Sequence, residues 1–237
     1  MKAMIFAAGL GTRFKPWTNE HPKALALVNG KSLLQRNVEY LQFYGIRDVV
    51  VNVHHFSEQV IDAISLNDGW GSNIVISDET DALLETGGGL LKATPLLRDG
   101  SFITLNADFL TNLRLDVLMD YHSNQGALIT LAVTNRPSSR VFLVNKLGRL
   151  CGWRNKITGE EKIAIPARRY LEKSYSCVAA FKPGFFNLVK QSGKFSIIDT
   201  YLDLAKEHPV LVYDHSGDKV VDVGKPESVK TAEALFP

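Results

Sequence analysis

The chain has 237 residues, 45% hydrophobic and 22% charged, with a mean hydropathy of −0.03. That fits one large globular domain with a proper core and excludes disorder, collagen and coiled coil. Lys and Arg number 27 against 25 Asp and Glu, a net charge of +2, so no basic field holds a nucleic acid and an anionic ligand must be met locally.

Strand-like and helix-like runs alternate, which predicts an α/β chain around a largely parallel sheet. The apolar start is read as a buried strand over 3–7 rather than a signal peptide, because it ends at Gly9. A helix is expected from Ser32, with Leu33, Leu34, Val38 and Leu41 at helical spacing and Gly45 as its stop. Val49–Val53 reads as a strand, and Ser57 as the N-cap of a second helix. Strands are expected at Ile74–Ile76 and Phe102–Leu105, with a glycine loop and a helical segment between them. A helix at Leu115–His122 and a strand at Leu128–Val133 follow. From Arg136 to about Tyr175 the pattern changes to short strands and turns, including Val141–Val144, a turn at Asn145–Gly148, and Leu150–Trp153. This predicts a small ligand-binding insertion over 136–176, between a first part over 1–135 and a core return over 177–237. The return contains Cys177–Phe181, an amphipathic run Ser196–Glu207, Val210–Tyr213, Val220–Val223 and a helix after Pro226, with no internal repeats.

Chemistry concentrates in a few places. In Ala8-Gly9-Leu10-Gly11-Thr12-Arg13, glycines directly after the first strand let backbone N–H groups approach an anion, on the crevice side of an open sheet. Neither usual glycine fingerprint is met: GxGxxG would need glycine where Phe14 stands, and a Walker loop ending at Gly30-Lys31-Ser32 would need glycine where Leu25 stands. Arg13 and Lys23, on a loop stiffened by Pro16 and Pro22, favour a polyphosphate clamp over a solvated turn. Asp108, just past a strand end, and Asp222, in an apolar strand, each read alone as a turn or cap acid. Together they offer the one or two carboxylates that Mg²⁺ takes from protein when it rides on a nucleotide. Glu85-Thr86-Gly87-Gly88-Gly89 reads as a loop bare of side chains, against which a base or ribose lies. His54 and His55 face opposite sides of a strand and make no metal pair. Cys177 reads as a core thiol, and with Cys151 it forms neither a CxxC nor a disulfide framework, which fits a reducing, cytoplasmic setting. No apolar stretch approaches the ~18 residues of a membrane span.

Taken in order, these residues resemble the sugar-1-phosphate nucleotidylyltransferases. Gly9-x-Gly-Thr-Arg13 with Pro22-Lys23 is similar to that family's signature, and Asn106-Ala107-Asp108 and Val221-Asp222-Val223-Gly224 to its two metal-binding acidic motifs. The resemblance covers nearly the whole chain. Leu84–Gly89, Phe195–Asp199 and the short length look most like the branch containing N-acetylmuramic acid 1-phosphate uridylyltransferase, also associated with mannose-1-phosphate guanylyl transfer. Three departures stand out: Ala107 where glycine is usual, Cys177 where many relatives have glycine in the sugar pocket, and no aromatic residue before Val221.

The resemblance implies a Rossmann-like nucleotidyltransferase fold, a mixed, mostly parallel sheet flanked by helices, with a small sugar-binding subdomain. It implies Mg²⁺-dependent reaction of an NTP, UTP before GTP, with a sugar 1-phosphate, N-acetylmuramic acid 1-phosphate first, giving NDP-sugar and pyrophosphate. The nucleotide would meet Ala8, Gly9, Leu10, Gly11, Thr12, Arg13, Lys23, Glu85, Gly87, Gly88 and Asn106. Arg13, Lys23 and Asp108 would carry catalysis, Asp108 and Asp222 the metal, and Arg140 and Glu172 the sugar. The attacking phosphate oxygen is already ionised near neutral pH, its second pKa being about 6, so no catalytic base or triad is needed. Two other readings are a cytidylyltransferase acting on phosphocholine or another small phosphomonoester, which an aromatic cage from Trp153, Tyr170 and Tyr175 would favour, and a silent nucleotide sensor, which expects one of the four charged residues to be missing. The partners implied are small molecules, with no nucleic acid or membrane, and monomer or homo-oligomer is left open.

Overall fold

The computed structural model describes residues 1–237. The chain enters as β1 (Lys2–Phe6), passes through short 3₁₀ turns and a small hairpin, β2 (Leu27–Val28) and β3 (Lys31–Ser32), and folds into α1 (Leu33–Phe43). The helix expected from Ser32 is present, and Ser32 caps α1, its Oγ accepting from Gln35 N–H at 3.1 Å, while Leu33, Leu34, Val38 and Leu41 are buried. Next come β4 (Asp48–Val53), α2 (Ser57–Leu66) and β5 (Asn73–Asp78). Ser57 is not the cap of α2: the cap position is Phe56 in the left-handed region (φ 53), which places Ser57 inside the first turn.

The remaining elements are α3 (Glu85–Lys92), α4 (Thr94–Leu97), β6 (Phe102–Asn106), β7 (Phe109–Thr111), α5 (Leu115–Asn124), β8 (Ile129–Thr134), β9 (Arg140–Val144), β10 (Leu150–Asn155), β11 (Glu161–Ile163), β12 (Leu171–Phe181), α6 (Ile197–Ala205), β13 (Val210–Asp214), β14 (Val220–Asp222) and α7 (Glu227–Leu235). β5, β4, β1 and β6 are parallel neighbours. β12 lies antiparallel to both β6 and β8, and β13 returns parallel to β8, so in this central sheet β12 alone runs against the rest. Leu171–Lys173 at the start of β12 pair with β9, and Val178–Phe181 at its end pair with β6. The insertion expected over 136–176 is therefore an antiparallel arm, β9–β10–β11, grown from β12, and the boundary expected at 176 falls inside that strand.

Strand alternation divides the core between the two faces of the sheet. Met4 and Val50 join Phe102, Phe181 and Tyr201 on one side, with the Phe102 and Phe181 rings stacked at 4.9 Å, while Ile5 and Val51 join Leu34, Leu105 and Leu118 on the other. A third cluster, including Phe14, Leu33, Leu110, Val221 and Val223, seats the separate β7–β14 ribbon against the amino-terminal loop.

One core residue gives the fold a pH dependence. His122 of α5 is buried with Nδ1 2.8 Å from Thr130 Oγ1, and burial holds its imidazole down to about 4, against an ordinary 6.5. Neutral in the fold and protonatable when unfolded, it contributes stability that is complete above pH 6.5 and is lost as the pH falls toward 4. Urea unfolding at two pH values is expected to show the wild type losing about 2–3 kcal/mol more than His122→Gln between roughly pH 7.5 and 4.5. Equal losses in the two proteins would contradict this.

Candidate active site

β1 and β6 are parallel neighbours in which Phe6 registers with Asn106, so the loops leaving them run side by side, and Ala107 N–H donates to Phe6 O at 3.0 Å. The first loop turns at Gly11, whose φ of +61 suits glycine; a Cβ there would stand 2.8 Å from Thr18 Cγ2 and 3.1 Å from Lys23 Cβ. The bare position lets the loop close onto Lys23, whose ammonium forms an ion pair with the Asp108 carboxylate. Asp108 leads into β7, and β14 pairs with β7 so that Asp222 registers with Phe109 and Val223 N–H donates to Asp108 O at 2.8 Å. The two acids are thereby brought together. Burial first, then the neighbouring Asp108, pushes the Asp222 carboxyl above its usual range, and its Oδ1 is buried without a hydrogen-bond partner. Arg13 completes the group: a Cβ on Gly224 would lie 2.5 Å from Asp222 Oδ1 and 2.9 Å from Arg13 Nη2, so both side chains reach across a bare backbone.

These four residues stand at a junction of cavities. One, of about 220 Å³, is lined by Gly9, Gly11, Thr12, Arg13, Lys23 and Gly224. A larger one, of about 670 Å³, shares Arg13, Thr86, Asn106 and Asp108 with it, and continues past Asp222 to Arg136, Arg140, Trp153, Tyr175 and Cys177. A third, of about 250 Å³, lies between Ala8 and Gly9 on one side and Leu83, Glu85 and Thr86 on the other. Glycine backbone and cations at one end, two acids at the junction and a half-apolar chamber beyond are suited to aligning two phosphorylated molecules.

Residues 2–149 match the nucleotidyl transferase family. The chain belongs to that family. It is 44% identical over 108 residues, 45% of each chain, to an N-acetylmuramate alpha-1-phosphate uridylyltransferase from Caulobacter vibrioides. It is 40% identical over 113 residues, 48% of this chain and 49% of the relative, to a protein of the same name from Neisseria meningitidis serogroup B. The matched stretch thus spans about half the length of these curated relatives. A mannose-1-phosphate guanyltransferase from Yarrowia lipolytica is 27% identical over 241 residues, 100% of this chain and 64% of the relative. Among solved structures, HddC from Yersinia pseudotuberculosis complexed with GMP-PN superposes with a TM-score of 0.79 at 19% identity, covering 100% of this chain and 99% of that one. Such neighbours show the Rossmann-like nucleotidyltransferase fold.

For this nucleotidyl transferase the structure separates the expected site residues into two groups. Gly9, Gly11, Thr12, Arg13, Lys23, Asn106, Asp108, Asp222 and Arg140 line the first two cavities, and Ala8 and Glu85 the third. Leu10 is exposed and lines none of them. Gly87 and Gly88 are corrected: the glycine run is not a loop but the first turns of α3, and it is buried. A Cβ on Gly87 would stand 2.3 Å from the Phe195 ring, and one on Gly88 2.2 Å from Gly193 O. These glycines are bare so that the helix can close on residues 193–195, and the residues of the segment that line the cavities are Glu85 and Thr86. Glu172 is also corrected. Its carboxylate, on the arm's surface, is held by Arg154 at 2.7 Å and Lys156 at 2.5 Å and does not line the chamber. Cys177 is not a core thiol but a half-buried residue of the chamber wall.

The sequence reading missed two contributors. Arg136 lines the chamber, lies 5.3 Å over the Phe109 ring and donates from Nη2 to Tyr175 O at 3.0 Å. Asn52 accepts from Ala7 N–H at 2.7 Å and donates to Glu79 Oε1 at 2.7 Å, tying the start of the loop after β1 to the neighbouring strand end. A lone Asn within Val49–Val53 was the signal available, since a buried polar group must find partners.

Proposed function

We propose that this nucleotidyl transferase moves a nucleotidyl group from an NTP to a sugar 1-phosphate and releases pyrophosphate. UTP and N-acetylmuramic acid 1-phosphate are the favoured pair, with GTP next. The observation that carries the reading is the convergence of Arg13, Lys23, Asp108 and Asp222 at the junction of the cavities. The uridylyltransferase relatives support the pair, and Arg136 and Arg140 in the large chamber suit a sugar that carries a carboxylate.

Backbone amides of residues 9–12 hold the β and γ phosphates, and Arg13 steadies the leaving pyrophosphate through its planar fork of donors. Lys23, beside Asp108, bridges the α-phosphate and the incoming sugar phosphate. No side chain has to remove a proton from the nucleophile, so the protein's work is to align two anions and offset the charge that develops. Asp108 and Asp222 would hold Mg²⁺. The orphaned, buried Asp222 Oδ1 beside a second carboxylate fits such a donor set, in which phosphate oxygens and waters supply the remaining ligands. The chemistry such an ion would supply there is neutralisation of phosphate charge. A cytoplasmic setting belongs to this proposal; no helix is long and apolar enough to cross a membrane.

The phosphocholine reading is disfavoured by the two arginines in the chamber and by Tyr170, whose hydroxyl donates to Ile165 O at 3.3 Å and lies outside the chamber wall. A matrix of the common NTPs against N-acetylmuramic acid, mannose, glucose and N-acetylglucosamine 1-phosphates and phosphocholine, scored by pyrophosphate release, tests the proposal. The expected maximum is UTP with N-acetylmuramic acid 1-phosphate. Turnover of CTP with phosphocholine alone would install the other enzyme, and release with no pair would leave a nucleotide sensor.

A further inference from the structure

The wall of the large chamber contains a strained residue. β12 loses its register against β8 between Tyr175 and Ala179, and within that irregularity Cys177 has φ +56, a left-handed conformation that a side chain disfavours. Such a conformation persists only where its surroundings over-determine it.

Side-chain bonds brace the strand at and beside the irregularity. Ser174 Oγ donates to Arg136 O at 2.6 Å, and Arg136 Nη2 donates to Tyr175 O at 3.0 Å. Ser176 Oγ donates to His215 Nε2 at 2.8 Å, while His215 Nδ1 donates to Asp218 Oδ2 at 3.1 Å, which fixes the imidazole tautomer. Asp218, His215 and Ser176 are the residue types of a hydrolytic triad. Ser176 is 0% exposed, however, and no substrate reaches it. Burial lowers the His215 pKa, which keeps Nε2 an acceptor for the serine. With Ser176 pinned inward, Tyr175 and Cys177 on either side of it form the chamber wall. The turn that carries His215 and Asp218 then runs directly into β14, which ends at Asp222.

We propose that the Asp218–His215–Ser176 relay, buried at His215 and Ser176, is a positioning device that sets the sugar-facing wall at Tyr175–Cys177, with His215 as its central positioning residue. The assignment of that wall to the sugar rests on the function proposed above; the geometry of the relay does not.

Cys177 reports on the wall. In a Cys151→Ala background it is the remaining thiol, and its labelling by methyl methanethiosulfonate is compared in the parent, Ser176→Ala, Asp218→Ala and Asp218→Asn proteins. Loss of one hydrogen bond is worth about tenfold. Ser176→Ala is expected to speed labelling by about that factor and to raise KM for the sugar 1-phosphate about tenfold, with KM for the NTP unchanged. Asp218→Ala, at the exposed end of the relay, gives the same pattern more weakly, so the test stands if Ser176→Ala fails to fold. Asp218→Asn keeps an acceptor for Nδ1–H and behaves as the parent. Unchanged labelling in both alanine variants, or an equal rise in the two KM values, would overturn the proposal. If the parent transfers no nucleotidyl group, the functional reading fails by itself and the labelling still decides whether the relay sets the wall.

Discussion

Asp222→Asn is expected to yield a protein that melts at a higher temperature than the wild type and turns over about 10²–10³ times more slowly. Both effects have one cause. The Asp222 carboxyl is buried beside Asp108, and burial followed by that neighbour's charge pushes its pKa up. A carboxyl whose folded pKa lies above its unfolded value loses stability as the pH rises through that interval, so at neutral pH the ionised group is a burden on the metal-free fold. Asparagine is close in shape, cannot ionise and removes that burden. It also removes an anionic oxygen from the junction where the transferring group must be held, and loss of one such electrostatic contact has the rate effect given above. The check is a thermal melt without divalent ions alongside pyrophosphate release with Mg²⁺. The gain in melting temperature should shrink as the pH falls toward about 4, where the unfolded carboxyl is itself protonated. A lower melting temperature at neutral pH, or full activity, would contradict the assignment.

Gly224→Ala, a change of one methyl group, is expected to lower turnover about 10²-fold. The added carbon would sit 2.5 Å from Asp222 Oδ1, 2.9 Å from Arg13 Nη2 and 3.2 Å from Arg13 Cζ. Ordinary contact needs about 1 Å more on the carboxylate side, and a misplacement of that size at reacting groups costs about two orders of magnitude. The guanidinium, at the end of a flexible stem, gives way more readily than Asp222, which is anchored through the β14 ladder. Turnover should therefore fall with little change in stability, and Arg13→Lys on top of Gly224→Ala should cost less than Arg13→Lys alone. A Gly224→Ala enzyme with wild-type turnover would mean that these two side chains do not act at the junction.

The parts of the molecule that local chemistry dictates were readable in the sequence. Ser32 stands before a run of apolar residues at helical spacing and caps α1, and the β-branched run at Val49–Val53 is a central strand. The site's polar frame was legible for a related reason: Arg13, Lys23, Asp108 and Asp222 sit at strand ends or on stiffened loops, where an α/β sheet exposes its ligands. What escaped was set by contacts distant along the chain. The glycine run read as a loop because glycine is a poor helix former. The run is nevertheless helical, and its residues are glycine because the backbone at Gly193 and the Phe195 ring leave no room for a Cβ. Cys177 sits in an apolar run and reads as core, yet the register shift in β12 turns it into the chamber. Glu172 was assigned to the sugar, and only the pairing of β12 with β9 and of β9 with β10 brings it to Arg154. Arg136 marked a change of pattern in the sequence, but nothing local indicated that its guanidinium would support Tyr175.

In the proposed reaction Asp108 and Asp222 serve one divalent cation on the triphosphate. The most direct measurement is a double-mutant cycle on Mg²⁺-dependent pyrophosphate release with Asp108→Asn, Asp222→Asn and the two combined. Groups that act as a unit are not additive. The combined variant should be no slower than the slower single one, at about 10²–10³ below the wild type. A combined loss near the product of the separate losses, about 10⁴–10⁶, would show two independent contributions and contradict the shared site.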